Sequence, residues 1–188
     1  MRRKMKFVIL LLFIAVFFPI FRFTVSRILL LFRLRGLCKK IGAEIKLNGW
    51  YSLFHKLNGN SNDMYIKTDK CIYSIKLLGF FSLKKHFCFG ENNMHSIKDL
   101  SFSILPSIAY SKEYKSKKYT NINFQNFLPP SDGYISIKPC FLLSPKLSKG
   151  MKISCVRNNV MMEIINGDRV PNAFFYTTEG LINELTSR

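Results

Sequence analysis

The sequence predicts an α+β protein in which an N-terminal transmembrane helix is followed by a single strand-rich globular domain with a short C-terminal helix. Three observations favour this fold class. An apolar run that contains a single proline extends from Phe7 to Phe21 and has basic residues on both sides. The 188 residues leave room for one domain after that run. Short β-prone segments separated by turn residues fill most of the remainder, and a final segment has the pattern of a capped helix.

The run from Phe7 to Phe21 is best explained as a membrane anchor. As a helix it extends about 22 Å, and the charged ends of Lys6 and Arg22 can reach the headgroups on either side of a hydrocarbon core of about 30 Å. A cleaved signal peptide is one alternative, but the residues that follow are bulky and charged and offer no small-residue cleavage site. A buried core helix is the other, and the basic groups on both sides argue against it.

Positive charge is concentrated around this run. The chain carries 29 Lys and Arg against 11 Asp and Glu, a net charge of +18, and no acidic residue precedes Glu44. Because more basic residues follow the span than precede it, the positive-inside rule favours a single-pass protein of the cell membrane with its globular domain in the cytoplasm. The expected partners are anionic lipid headgroups. The basic residues predicted to flank the membrane are Arg2, Arg3, Lys4, Lys6, Arg22, Arg27, Arg33, Arg35, Lys39 and Lys40.

The chain divides into three predicted parts: a membrane anchor and interfacial helix at 1–33, a basic juxtamembrane segment at 34–45, and a globular α+β domain at 46–188. After the span, aliphatic and aromatic residues alternate irregularly with arginines. Two interpretations of this segment remain open. The helix lies along the membrane surface with its guanidinium groups among lipid phosphates, or it is solvated and packs its leucines on the globular domain.

Eight segments of the globular part are predicted strands. They are 50–55, 63–68, 71–78, 86–90, 100–105, 133–143, 151–156 and 160–165. The last two form the strongest local prediction, a hairpin whose asparagines at 158 and 159 tolerate the backbone of a tight turn. Pro139 is expected to confine its strand to a sheet edge or to mark a bulge.

The C-terminal segment predicts a short helix. Thr177 or Thr178 can cap its first turn, and Leu181, Ile182 and Leu185 recur at the spacing of one helix face.

The cysteines and histidines predict neither disulfides nor a metal centre. The five cysteines (Cys38, Cys71, Cys88, Cys140 and Cys155) are widely spaced and odd in number, which suits a reducing compartment. His86, Cys88 and His95 do not have the ligand number and spacing of a zinc site. We expect no metal and no cofactor.

Residues 110–127 interleave lysines with tyrosines. Such a segment can bind single-stranded nucleic acid through phosphate contacts and base stacking, or it can touch anionic lipid beside the anchor. The interpretation we favour is a solvated loop in a protein rich in Lys, Asn and Ile throughout. No motif indicates a protein partner.

The segment DMYIKTDKCIYSIKL, residues 63–77, has a pattern close to that of a metal-dependent nuclease. Asp63 begins one predicted strand, and Ser74 and Lys76 share a face of the next because residues two apart in a strand point the same way. The pattern resembles the restriction-endonuclease-like superfamily, and in particular the nuclease-related domain of some bacterial proteins, with its Asp, a turn and Glu-x-Lys. The resemblance implies two carboxylates that hold a divalent cation and a lysine that orients or activates water.

The sequence departs from this pattern at Ser74, which stands where the second carboxylate is expected and is a poor ligand for a hard cation. Asp69 lies in the turn rather than on the strand. Glu44 occupies roughly the place of an assisting glutamate in that superfamily. Asp63, Lys76 and Glu44 are therefore speculative catalytic residues only, and the hairpin belongs either to a degenerate form of that fold or to an unrelated strand-rich domain.

The phrases DMYIKTDKCIYSIKLLG, NGD and FFYTTEGL are similar to those of small membrane-anchored proteins of low-GC bacteria that have no assigned activity. This resemblance implies an inner-membrane-tethered α+β module. The sequence contains no glycine-rich phosphate loop and no nucleophile–His–acid arrangement. It therefore predicts a non-catalytic binding or scaffolding protein, with a degenerate or atypical metal-dependent nuclease as the alternative.

Overall fold

The chain is α+β, as the sequence predicts, and its computed structural model describes residues 21, 23–54, 61–79, 86–89, 93–97, 115–118, 123–130, 135–144, 152–157, 160–170 and 173–187. These residues form helix α1 (residues 21–40, with residue 22 not described), the single turn α2 (Tyr51–Phe54) and α3 (Thr178–Thr186). The described strands are β1 (Glu44–Leu47), β2 (Met64–Lys67), β3 (Cys71–Leu78), β4 (His86–Phe89), β5 (Asn93–Ile97), β6 (Lys115–Lys118), β7 (Ser136–Leu143), β8 (Lys152–Arg157), β9 (Val160–Glu163), β10 (Arg169–Val170) and β11 (Ala173–Thr177).

The larger sheet is mixed and has the strand order β1-β2-β3-β7-β11-β10. The first three strands form an antiparallel meander. Strands β3, β7 and β11 run parallel to one another, so their carboxyl ends meet at one edge of the sheet. Strand β10 closes the order as a short antiparallel edge.

Each face of this sheet is covered by a different layer. Helices α1 and α3 pack on one face, where Leu34 and Leu181 meet Leu142 of β7 in a single apolar cluster. On the other face, Phe141 of β7 packs with Ile153 of β8, which belongs to the second sheet. The β2–β3 hairpin therefore lies in a sheet that is covered on both faces.

The second sheet has the order β6-β5-β4-β8-β9. Its β4 and β8 are parallel, and the other neighbours are antiparallel. The predicted hairpin over 151–165 is confirmed, because β8 and β9 pair antiparallel with Arg157 opposite Val160.

The predicted C-terminal helix is also confirmed. Thr177 has extended backbone angles and is the N-cap of α3, where its hydroxyl accepts a hydrogen bond from the Gly180 amide at 3.1 Å. Leu181 and Leu185 are buried, and Ile182 is partly buried against the same cluster.

Helix α1 belongs to the folded domain and crosses the boundary predicted between residues 33 and 34. Its inner face is buried from Phe23 to Cys38, and the ring of Phe23 packs so closely on Gly79 that a Cβ there would overlap it. The helix ends at Gly42, whose φ of 69° lets the chain turn directly into β1. The interpretation that this helix packs its leucines on the domain is thus correct for its inner face.

The predicted anchor lies almost entirely outside the described residues, which begin at Phe21. So do the basic residues Arg2, Arg3, Lys4, Lys6 and Arg22. Within the part of the chain that is described, no helix has both the length and the apolar character needed to span a bilayer.

Two local predictions differ from the structure. The segment 50–55 forms α2 instead of a strand, because Gly49 takes a φ of 74° and the Ser52 hydroxyl donates to the carbonyl of Asn48 at 2.8 Å, which closes a turn. Strand β7 lies in the middle of its sheet despite Pro139. Its pairing with β11 begins only at Cys140, so Pro139 pairs with β3 alone. The predicted strand 100–105 lies outside the described residues.

Candidate functional site

The nuclease-like hairpin brings Asp63 and Lys76 together. Because Met64 of β2 is opposite Ile75 of β3, Asp63 lies across from Lys76 at the end of the ladder. The Lys76 ammonium lies 3.1 Å from Asp63 Oδ1, and the Leu77 amide donates to Oδ2 at 2.8 Å. The ammonium also donates to the carbonyl of Ser61 at 2.7 Å. Both oxygens of the carboxylate are therefore engaged by groups of the protein itself.

This ion pair is buried. Asp63 is 8 % exposed and Lys76 is 3 % exposed. Burial raises the pKa of the Asp63 carboxyl above its ordinary value, against the opposing effects of Lys76, the Leu77 amide and Arg27. The pair replaces the lost hydration of both groups with direct contacts, which is the usual condition for charges inside a protein.

Arg27 brings a second positive charge to this region from α1. Its guanidinium donates to the carbonyl oxygens of Ser52 at 3.0 Å and Leu77 at 3.4 Å, and it lies 3.9 Å from the centroid of the Phe23 ring. Burial lowers the pKa of Arg27 to about 10, and Asp63 opposes this shift. Arg27 therefore remains charged at neutral pH inside the domain, although it is predicted from the sequence to flank the membrane. Its position falls on the buried face of α1.

Ser74 fastens another segment over the hairpin. Its hydroxyl donates to the carbonyl of Phe124 at 2.5 Å, and its side chain is fully buried. Residues 123–130 are held further by Asn62, whose amide nitrogen donates to the Phe127 carbonyl at 2.6 Å and whose amide oxygen accepts from the Phe127 amide at 3.1 Å. The face on which a nuclease would bind its metal and phosphate is covered by this segment.

Glu44 does not join Asp63. It is opposite Lys67, at the other end of the β1–β2 ladder, and its carboxylate accepts a hydrogen bond from the Tyr65 hydroxyl at 2.8 Å. Burial and this carboxylate raise the pKa of Tyr65 to about 12. Asp69 lies in the β2–β3 turn, also at the end away from Asp63. The structure thus brings together two of the three speculative residues.

No cluster of three His, Cys, Asp or Glu side chains suited to a metal ion occurs among the described residues. The strand positions of Cys88 and His95 are directly opposite in the β4–β5 ladder. Four of the five cysteines (Cys38, Cys71, Cys140 and Cys155) are buried and not disulfide-bonded. Burial raises the pKa of the Cys38 thiol to about 11 and also raises that of Cys140, so both remain protonated at neutral pH.

A cavity of about 460 Å³ lies between α1 and the carboxyl ends of β7 and β11. Its wall combines leucines with hydroxyl side chains and one ion pair. Arg33 binds Glu179 through two hydrogen bonds of 2.8 and 2.9 Å, and so connects α1 to the first turn of α3. No sequence pattern marks this cavity, because its walls come from three separate parts of the chain. The lining residues are Ser26, Leu29, Leu30, Arg33, Leu143, Ser144, Thr177, Thr178 and Glu179.

Comparison with known proteins found no family model that matches the chain, no similar curated protein and no similar solved structure.

Proposed function

We propose that the chain is a membrane-tethered, non-catalytic binding or scaffolding module. Residues 7–21 hold it in the inner membrane of a bacterial cell, and the α+β domain lies on the cytoplasmic side. The observation that carries the non-catalytic part is the state of the Asp63 carboxylate, whose two oxygens accept hydrogen bonds from Lys76 and from the Leu77 amide.

This arrangement supports a structural role for the hairpin. Metal-dependent phosphodiester hydrolysis needs carboxylate oxygens that point at a cation and a position for an attacking water. Here Ser74 and Asn62 are used to hold residues 123–130 in place, and Glu44 is bound to Tyr65. The polar groups that would form a reaction centre instead connect segments of the fold.

The tether is supported by the charge and order of the sequence. The apolar run from Phe7 ends at Phe21, where the described part of α1 starts, and the basic residues around it suit anionic headgroups on both sides. The cavity between α1 and the larger sheet is a concave feature at which a binding module of this kind can hold a ligand.

One observation favours the alternative function, an atypical nuclease. Asp63 and Lys76 are directly opposite on neighbouring strands, as in the superfamily that the sequence resembles. Hydrolysis would require residues 123–130 to move and a second carboxylate to arrive from elsewhere.

The two functions are separated by incubating the purified full-length protein with DNA and RNA in the presence of Mg²⁺ or Mn²⁺. We expect no cleavage. We also expect no increase in melting temperature with either ion, because such an increase occurs only when the folded protein binds the ion. Cleavage that is lost in Asp63→Asn and Lys76→Met, but kept in the surface variant Arg33→Gln, would overturn the proposal.

A further inference from the structure

The outer face of α1 exposes an apolar stripe. Phe21, Leu29 and Phe32 are 68 %, 62 % and 63 % exposed, although they are large hydrophobic residues. At 3.6 residues per turn, positions separated by 8 and 3 residues lie on one side of a helix. Since the opposite side of α1 packs on the sheet, the helix has two apolar faces, and only one of them is covered by the domain.

Basic side chains border this stripe. By the same helical period, Arg33 and Arg35 fall on opposite sides of the line through Phe21 and Phe32, and both are exposed. Lys39 and Lys40 are exposed at the end of the helix. An apolar stripe with cationic borders is the pattern of a helix that lies in the headgroup region of a membrane.

An exposed aromatic residue lies near the same helix. Trp50, the only tryptophan of the chain, is 64 % exposed in the loop before α2. Arg27 of α1 donates to the carbonyl of Ser52 in that turn, which ties the loop to the helix. Because Arg27 lies on the inner side of α1, this contact does not place Trp50 beside the stripe.

We infer that the outer face of α1 is a membrane-contact surface, with Phe21, Leu29 and Phe32 in the acyl boundary of an anionic bilayer and the flanking basic residues among its phosphates. The inference rests on the proposed tether, because a membrane span that ends at Phe21 places the following residues of α1 at the bilayer surface. The orientation of the domain relative to the membrane follows: the domain lies against the bilayer along α1 and is not connected to it by a free linker.

The lipid bilayer is a better occupant of this face than a protein. The stripe continues directly from the predicted span along the same chain. Among the described residues, the only acidic partner of the cations on its borders is Glu179, which binds Arg33. Leu29 and Arg33 also line the cavity next to α1. A helix in contact with the bilayer therefore brings that cavity to the headgroup region.

The single tryptophan allows a direct test with the full-length protein. In a Trp50→Phe background, Phe32→Trp places the only tryptophan on the stripe. Ile137→Trp is the matched control. Ile137 is 39 % exposed and lies on the sheet face of Phe141, opposite the face that α1 covers. Both proteins are reconstituted into vesicles of equal parts phosphatidylcholine and phosphatidylglycerol, with or without brominated acyl chains.

We expect the emission of Phe32→Trp to shift to the blue and to be quenched by brominated lipid, while that of Ile137→Trp is unchanged. Equal, weak quenching of the two would overturn the inference. A blue shift of Phe32→Trp that brominated lipid does not quench would also overturn it, because a second protein copy would then cover the stripe. Failure of the tether is distinguishable from both outcomes, because carbonate would then release the protein from the vesicles. Equal melting temperatures of the two variants show that the fold is kept.

Discussion

The buried Asp63–Lys76 pair contributes to stability in a different way from an ion pair on the surface. Removing two charges from water is expensive, and their mutual attraction compensates only when the remaining hydrogen-bonding positions are filled. The Leu77 amide and the Ser61 carbonyl fill them here. Loss of one partner therefore leaves an uncompensated charge in a dry site, whereas loss of both is much milder.

Lys76→Met is expected to destabilise the protein by about 3–5 kcal/mol, the loss found when one member of a buried pair is removed. The double variant Asp63→Asn with Lys76→Met should recover part of that loss, since no charge is then left unpaired. Chemical denaturation of the single and double variants measures both values.

Arg33→Gln is the control for this prediction. Arg33 and Glu179 form a shorter pair, at 2.8 Å against 3.1 Å for Lys76 and Asp63, but their side chains are 54 % and 61 % exposed, so water replaces the lost contact. A loss for Lys76→Met no greater than that for Arg33→Gln would show that the buried pair does not hold the hairpin.

Ser74→Ala is expected to cost about 1–3 kcal/mol, because the buried Phe124 carbonyl loses its hydrogen-bond donor. Ser74→Glu should be worse, since its charge has no room beneath residues 123–130, and it should not create Mg²⁺-dependent stabilisation. Thermal unfolding with and without Mg²⁺ measures both effects. Ser187→Ala, which removes an exposed hydroxyl, is the control. A stable Ser74→Glu variant that is further stabilised by Mg²⁺ would contradict the structural role of the hairpin.

Local spacing predicts part of this site. The alternation of a strand is enough to place Ser74 and Lys76 on one face. It does not show that Ser74 bonds to a residue fifty positions away or that Asn62 binds Phe127, because these contacts depend on tertiary structure. The buried position of Arg27 can be predicted from the sequence, since residues 23, 27, 30, 34 and 38 share one helical face.

At the scale of elements, Lys138 of β7 connects the sheet to α3. Its ammonium lies 3.0 Å from Glu184 Oε1 and 4.7 Å from the centroid of the Phe174 ring. Tyr73 and Tyr176 place two more rings within 5.6 and 5.4 Å. A cation among three rings and a carboxylate fixes the position of the helix relative to the strands.

This contact predicts a pH-dependent stability. Burial lowers the pKa of Lys138, but its hydrogen bonds with Tyr176 and Glu184 outweigh that effect and raise the pKa above the ordinary 10.5. Because the pKa of Lys138 is raised by folding, its charged form contributes fully to the free energy of unfolding below pH 10.5. This contribution is lost as the pH rises through the pKa that Lys138 has in the folded protein. Lys138→Met should therefore melt below the parent protein at pH 8, and the difference should shrink at pH values above the raised pKa.

Melting temperatures across this pH series test the prediction. Lys39→Met, on the exposed side of α1, is the control and should differ little from the parent at every pH. A difference between Lys138→Met and the parent that stays constant to the highest pH would contradict the role of the ammonium.

Elements with a strong local pattern are predicted well, and those created by pairing are not. The capped helix α3 and the hairpin β8–β9 have local signals that suffice. Strand β6 reads Lys-Ser-Lys-Lys and is extended because it pairs with β5. Strand β10 has only two residues and exists through its pairing with β11. Strand β1 crosses the predicted boundary between the basic juxtamembrane segment at 34–45 and the globular domain at 46–188. Its four residues alternate too briefly to be recognised as a strand.

At the scale of the whole molecule, α1 has two roles. Its inner face completes the core of the domain from Phe23 to Cys38, and its first residues continue the apolar run that we assign to the membrane. A deletion of residues 1–33 would therefore remove more than half of the described helix and disrupt the fold. A deletion of residues 1–20 removes nearly all of the proposed tether and leaves every described buried position of α1 in place.

Carbonate extraction tests whether residues 7–21 anchor the protein in the membrane. It is applied to membranes from cells that express the full-length protein or the variant lacking residues 1–20. Substitution of Arg2, Arg3, Lys4 and Lys6 by glutamine is the matched control, because an inserted apolar span does not depend on those charges. We predict that the full-length protein and the glutamine variant resist extraction, and that the shortened protein is released in folded form. Release of the full-length protein by carbonate, or retention of the shortened protein, would contradict the assignment of residues 7–21 as the membrane anchor.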